Sequence, residues 1–231
     1  MEINLFIPAA GLGTRLYPLT ANKPKALVEI NGKPMIQVLI DKLLADKSLQ
    51  INKIIVNAHH FSNLMLEFLK NYDKHEILIS DETETLLDTG GGLKQALNIL
   101  NDDKPLLVHN VDIETNFDFC SFLNEDFDNS MLSTLIVSKR ETSRYLLFDD
   151  EMKLCAWENI KTGERIIADE NAENLSSYAF SGIQLVNPAI LPLLSEEKVF
   201  PLIPEYLRLA KHRTFKAYPA NDSYFNDLGK K

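Results

Sequence analysis

Residues 3–15 read Ile3-Asn4-Leu5-Phe6-Ile7-Pro8-Ala9-Ala10-Gly11-Leu12-Gly13-Thr14-Arg15. An apolar run of strand length stops at a proline and opens into a glycine-containing loop, where backbone N–H groups converge readily on an anion. Beyond it, Pro34 opens a segment in which Ile36, Leu39, Ile40, Leu43 and Leu44 follow helical spacing,. Lys53–Asn57 reads as a second strand, Ser62–Asn71 as a helix and Glu76–Ile79 as a third strand. Thr89 reads as the N-cap of a helix carrying Leu93, Ala96, Leu97 and Leu100, and Leu106–His109 as another strand,. This βαβ alternation implies an α/β fold, a mostly parallel sheet with helices on both faces and a ligand site beyond the carboxyl ends of the strands.

After Met131 the pattern turns to strand-like pieces at Leu132–Ser138, Tyr145–Phe148, Lys153–Trp157, Tyr178–Val186 and Phe215–Tyr218. Short helices near Pro188–Leu194 and Pro201–Ala210 interrupt them. No Pro/Gly/Ser-rich linker, repeat or low-complexity tract breaks the chain, so residues 1–231 are expected to form a single domain. Its expected halves are a nucleotide-binding one (1–130) and a mixed, acceptor-binding one (131–231),.

The 231 residues are 45% hydrophobic with a mean hydropathy of −0.13, which is core enough for a globular domain. With 24 Lys and Arg against 33 Asp and Glu, the net charge is −9, which argues against duplex nucleic acid or an anionic membrane as partner. The charge is uneven. Residues 1–35 carry Arg15, Lys23, Lys25 and Lys33 against Glu2 and Glu29, so a segment of net +2 heads a chain whose remainder carries −11. The two cysteines, Cys120 and Cys155, lack metal or disulfide spacing,. No leader-like N-terminus and no run of membrane-spanning length is visible, which makes the cytoplasm the default location.

Five of the nine glycines fall in two clusters, Gly11/Gly13 and Gly90/Gly91/Gly92, and such clustering marks backbone that something approaches closely. The first is not a dinucleotide fingerprint, because position 16 is Leu16, and the G-x-x-x-x-G-K of a Walker loop is absent,. The stretch Gly11-Leu12-Gly13-Thr14-Arg15-Leu16-Tyr17-Pro18-Leu19-Thr20, followed by Pro24-Lys25-Ala26-Leu27, resembles the G-x-G-T-R-x-x-P-L-T…P-K signature of the sugar-1-phosphate nucleotidyltransferases. The chemistry suits phosphate: Arg15 offers a forked donor, Lys25 a movable point charge, and Pro24 fixes the backbone before it. Lys23 and Lys33 read as surface charges.

The resemblance spans roughly residues 3–229 and implies a Rossmann-like αβα sandwich of the GT-A-like kind with a mixed, mostly parallel central sheet. It leaves no room for the C-terminal β-helix acyltransferase domain of some bifunctional relatives. Leu87-Asp88-Thr89-Gly90-Gly91-Gly92 looks most like the N-acetylmuramate-1-phosphate uridylyltransferase branch and is similar to the mannose- and heptose-1-phosphate guanylyltransferase branches; the resemblance lays the nucleobase against Gly90 and Gly91. Leu106–Asp112 is an apolar strand delivering a carboxylate at its end, a good place for a ligand to a hard cation. By resemblance Asn110-Val111-Asp112 matches the family's N-G-D, with Val111 where glycine is usual. Asp112 then becomes the first Mg²⁺ ligand and Asn110 a nucleotide contact. Phe225-Asn226-Asp227-Leu228-Gly229 resembles the W-x-D-I-G-T element and makes Asp227 the second ligand, although Lys230 replaces the threonine. Phe180-Ser181-Gly182-Ile183 matches F-S-G-I, where Gly182 admits the sugar, and Glu158 is a candidate acceptor for sugar hydroxyls.

The resemblance thus implies in-line attack of a sugar 1-phosphate on the α-phosphorus of a nucleoside triphosphate, with Mg²⁺ as cofactor and no covalent intermediate, by positioning and charge neutralisation. Ala10, Gly11, Gly13, Thr14 and Arg15 are assigned to the triphosphate, and Lys25 to the reacting phosphates of both substrates. UTP with N-acetylmuramate 1-phosphate is the first reading. GTP with mannose or heptose 1-phosphate, a choline phosphate acceptor, and a catalytically silent nucleotide-sugar-binding regulator stand as alternatives; a nicotinamide oxidoreductase is weakened by Leu16. The expected assembly is a monomer or small homo-oligomer. Asp118, Asp126 and Asp128 read as solvated, and His59, His60, His75, His109 and His212 lack triad or zinc spacing,.

Overall fold

The computed structural model describes residues 1–124 and 130–229; Asp126, Asp128 and Lys230 lie outside them. In chain order the first half runs β1 (Glu2–Ile7), single 3₁₀ turns at Thr14–Leu16 and Lys25–Leu27, β2 (Glu29–Ile30), β3 (Lys33–Pro34), α1 (Met35–Ala45), β4 (Gln50–Ala58), α2 (Ser62–Lys70), β5 (Ile77–Asp81), α3 (Asp88–Leu100), β6 (Leu106–His109), β7 (Ile113–Thr115) and α4 (Phe119–Asn124). The second runs β8 (Met131–Ser138), β9 (Arg144–Phe148), β10 (Leu154–Asn159), β11 (Glu164–Ile167), β12 (Ser176–Val186), a 3₁₀ segment at Pro188–Leu193, α5 (Leu202–Ala210), β13 (Thr214–Pro219) and β14 (Phe225–Asp227).

The spine of the molecule is one sheet in the order β5-β4-β1-β6-β12-β8-β13, parallel throughout except for β12. β9, β10 and β11 extend it as an antiparallel ribbon from the start of β12. Strands buried on both faces read as continuous apolar runs, and β1 is the example: Ile3, Leu5 and Ile7 pack with α1, α2 and α4, whereas Phe6 faces the cluster formed by α3 and α5. The α/β architecture is therefore the one that the alternation of patterns implies. Among the described residues no helix is long and apolar enough to cross a membrane.

Two local readings change. α3 begins at Asp88, one residue before Thr89, and the Thr89 hydroxyl accepts the Leu202 N–H at 2.9 Å instead of capping its own helix. Gly90 and Gly91 donate their N–H groups to the Phe200 carbonyl, at 2.9 and 3.3 Å. A Cβ on Gly90 would run into the Phe200 ring, and one on Gly91 into the Lys198 carbonyl. These glycines therefore let the chain before α5 lie on the first turn of α3. Gly90→Ala is expected to lower stability by about 1–3 kcal/mol, the usual range for overpacking. A helical glycine without that contact would instead gain about 1 kcal/mol from alanine, so the sign of the change in a chemical denaturation curve decides the matter.

Candidate active site

β1 delivers the glycine loop to the carboxyl edge of the sheet, and a buried relay holds it there. The Ala9 and Ala10 N–H groups donate to Asn57 Oδ1 at 2.6 and 3.1 Å, and Asn57 sits near the end of the neighbouring β4. Asn57 Nδ2 donates in turn to Glu82 Oε1 at 2.7 Å, and Glu82 Oε2 accepts the Leu87 N–H at 3.0 Å, just before α3. Both side chains are buried, so the relay ties the loop to the start of α3 with little competition from water. Ala10 keeps its place on the cavity wall, but its N–H is already committed. The N–H groups of Gly11, Leu12 and Gly13 donate to no group among the described residues, which leaves them for a ligand. With the loop binding nucleotide, as its motif implies, Asn57→Ala is expected to raise the KM for nucleotide by about tenfold, through the loss of loop positioning, with kcat changed far less. Equal kinetics would mean that the loop is held by other means.

Opposite the loop, Asp112 follows β6, and antiparallel pairing of β14 with β7 sets Asp227 against Ile113. The Leu228 N–H donates to the Asp112 carbonyl at 2.8 Å, and the Gly229 N–H to Asp227 Oδ1 at 2.9 Å, so the end of the described chain is fastened onto the site. Each carboxylate meets one cation of the loop segment: Lys25 Nζ pairs with Asp112, and an Arg15 guanidinium nitrogen lies 3.3 Å from Asp227 Oδ2. The pairs differ in setting. Lys25 and Asp112 are only 13% and 12% exposed, whereas the Arg15 side chain is 60% exposed. The first pair is thus a strong electrostatic feature of the site, and the second a loose surface contact that contributes little to stability.

Two adjoining cavities surround these groups. The larger, about 760 Å³, is lined by Ala10, Gly11, Arg15, Lys25, Asn110, Asp112 and Gly182 among others, a size that suits a ligand of nucleotide dimensions. The smaller, about 300 Å³, shares Arg15, Asn110, Asp112 and Gly182 and adds Asp227 and Arg140. Gly182 has φ +82°, and a Cβ there would come within 2.6 Å of Asn110 Nδ2. The glycine therefore first makes room for the Asn110 amide, with the Asn110 N–H donating to the Gly182 carbonyl at 3.0 Å. Gly13, Thr14, Gly90, Gly91 and Glu158 are not among the residues that line either cavity. Glu158 is held on β10, across from Tyr145 and Arg165.

Among the described residues no cluster of three or more His, Cys, Asp or Glu side chains is placed to hold a metal by itself. Asp112 and Asp227 are a donor set of another kind, two carboxylates on one small cavity beside cationic side chains. That chemistry fits a hard divalent cation completing its shell with phosphate and water oxygens. His109 lies outside this set: it lines neither cavity, its Nδ1 lies 2.9 Å from the Asn110 carbonyl, and burial pushes its pKa down to about 4, so it stays a neutral core side chain. Asn57, Glu82, Arg140 and Gln184, all on the cavity walls, were not singled out from sequence. The visible trace of Asn57 was a polar residue closing the apolar run of β4.

Residues 6–153 match the family model described as nucleotidyl transferase. The chain is 43% identical over 108 residues to the N-acetylmuramate alpha-1-phosphate uridylyltransferase of Caulobacter vibrioides, covering 45% of this chain and 43% of the relative. It is 31% identical over 210 residues to the mannose-1-phosphate guanylyltransferase catalytic subunit beta of Dictyostelium discoideum, covering 84% and 54%. The chain spans about half the length of the curated relatives it matches. Among solved structures, HddC from Yersinia pseudotuberculosis complexed with GMP-PN shares the fold, with a TM-score of 0.72 at 22% identity over 98% of this chain and 94% of that one. The glycine loop followed by Lys25, the acidic ends of β6 and β14 and the matched family model lead to one conclusion: the chain belongs to the nucleotidyl transferase family.

Proposed function

We propose that the protein joins a nucleoside triphosphate to a sugar 1-phosphate. A phosphate oxygen of the sugar attacks the α-phosphorus in line, the bond from that phosphorus to the bridging oxygen of the β-phosphate breaks, and pyrophosphate leaves with the electron pair. The observation that carries this reading is the pairing of Lys25 with Asp112 and of Arg15 with Asp227 around adjoining cavities. Two cations able to grip phosphates stand beside two carboxylates able to grip a metal.

In this reading the N–H groups of Gly11, Leu12 and Gly13 and the exposed Arg15 hold the triphosphate. Lys25 neutralises the charge that develops between the two reacting phosphates, and Arg140 meets the acceptor phosphate from the smaller cavity. Asp112 and Asp227 would hold Mg²⁺, which when bound offsets charge on the α-phosphate and on the leaving pyrophosphate. Residues 1–130 and 131–231 then act as the nucleotide and acceptor sides of one catalytic unit. The names of the relatives support uridylyl transfer first and guanylyl transfer second, with N-acetylmuramate or mannose 1-phosphate as acceptor. Incubating the protein with each of four nucleoside triphosphates and a panel of sugar 1-phosphates, with and without Mg²⁺, tests it. Pyrophosphate release that requires metal and both substrates is expected; tight nucleotide-sugar binding without any release would favour the regulatory alternative.

A further inference from the structure

Beneath the phosphate loop the larger cavity runs inward between the sheet and the helices α3 and α5. Its floor there is one lateral row of the sheet. Phe6 on β1 pairs in register with Val108 on β6, and Val108 with Gln184 on β12, two residues deeper than Asn110 and Gly182. Leu93 of α3 with Leu202 and Ile203 of α5 close the lobe from the other side. Every one of these side chains is apolar except Gln184.

Gln184 is 1% exposed. Its Oε1 accepts the Ser133 hydroxyl at 3.1 Å, which orients the amide, while its Nε2 donates to no group among the described residues. Beside this pair stands Tyr206, fully buried, whose hydroxyl feels both dipoles but lies outside hydrogen-bonding geometry and has no partner. A buried amide with unmet donors, backed by an orphaned hydroxyl, costs stability that a leucine at the same place would not. Such a group calls for an external acceptor atom, and the apolar walls define what that atom is attached to.

Resting on the nucleotidyl-transfer reading, we infer that Gln184 is a specificity-determining residue for the acceptor. Its amide N–H donates to the carbonyl of an acyl-amido substituent on an amino-sugar 1-phosphate, and the acyl methyl lies against Val108, Leu93 and Ile203. A sugar carrying only hydroxyls would leave the apolar walls unfilled and bring its own polar groups to them.

The test compares N-acetylglucosamine 1-phosphate with glucose 1-phosphate as probes, at saturating Mg²⁺ and nucleotide, in wild type and Gln184→Leu. Wild type is expected to favour the N-acetyl probe. In the variant the ratio of the two kcat/KM values is expected to fall by about tenfold, the factor that one hydrogen bond of about 1.4 kcal/mol supplies. A ratio that stays within about twofold, or a change confined to the nucleotide KM, overturns the inference, leaving a structural amide that serves an internal water. If Gln184→Leu does not fold, Gln184→Asn withdraws the same amide by one methylene and is read by the same ratio. If wild type turns over no sugar 1-phosphate at all, the nucleotidyl-transfer reading has failed; calorimetric binding of the two probes to wild type and variant then still decides the role of Gln184.

Discussion

Lys25→Ala is expected to lower kcat/KM for the proposed pyrophosphate release by about 10³, the upper range for removing one preorganised charged donor from a reacting centre. The size follows from placement. Lys25 is largely withdrawn from water beside Asp112, at the junction of the cavities proposed for the two phosphates, where a charge acts with little solvent screening. The same substitution has a second signature: it leaves the Asp112 carboxylate without its cation in a site only about one-eighth exposed. The chelated protein should lose of order 2–3 kcal/mol, less than the ~3–5 of a fully buried pair cut from one side, and should regain most of it when Mg²⁺ is added. Thermal melts with EDTA and with Mg²⁺ measure this. A variant within tenfold of wild type would remove Lys25 from the chemistry, and one with no metal-dependent recovery would remove Asp112 from the metal site.

Asp112→Asn is the complementary experiment, with a loss of about 10²–10³ in turnover. The amide is isosteric, so packing near Val111 and the hydrogen bond from the Leu228 N–H to the Asp112 backbone carbonyl are preserved, and what is lost is charge. The Mg²⁺ concentration needed for half-maximal rate should rise strongly, since a neutral amide is a weaker ligand than a carboxylate. Lys25 is then freed from its partner, and nucleotide should bind at least as tightly in the absence of metal. Weakened metal-free nucleotide binding would mean instead that the Lys25–Asp112 pair is needed to shape the triphosphate site. Asp227→Asn is expected to cost less, because its partner Arg15 is exposed and the strand that carries it is only three residues long.

Most of the elements are legible in the amino-acid sequence. The Leu106–His109 strand has the boundaries its apolar run implies, and the helix opened by Pro34 presents Ile36, Leu39, Ile40 and Leu43 to the core. These are features of local periodicity, which hydrophobic burial enforces residue by residue. Less visible were β7 and β14, each of three residues. Pieces so short have no period of their own and exist only because they pair with each other across the chain.

The same division runs through the site. The glycine loop, Arg15, Lys25 and the acidic strand end at Asp112 are contiguous motifs whose chemistry depends on residue type and local spacing, so the amino-acid sequence by itself determined them and the family to which they belong. It also placed glycines at 90 and 91 without giving their reason, since the Phe200 segment that crowds them is more than a hundred residues away. Only the tertiary structure decided that Asp227 meets Arg15 across 212 residues, that Asn57 and Glu82 hold the loop from beneath, and that β12 runs against its neighbours to set Gln184 on a cavity floor. The physical reason is the range of the forces: backbone preference and burial periodicity act between near neighbours in sequence, whereas hydrogen bonds, ion pairs and cavity walls act between neighbours in space.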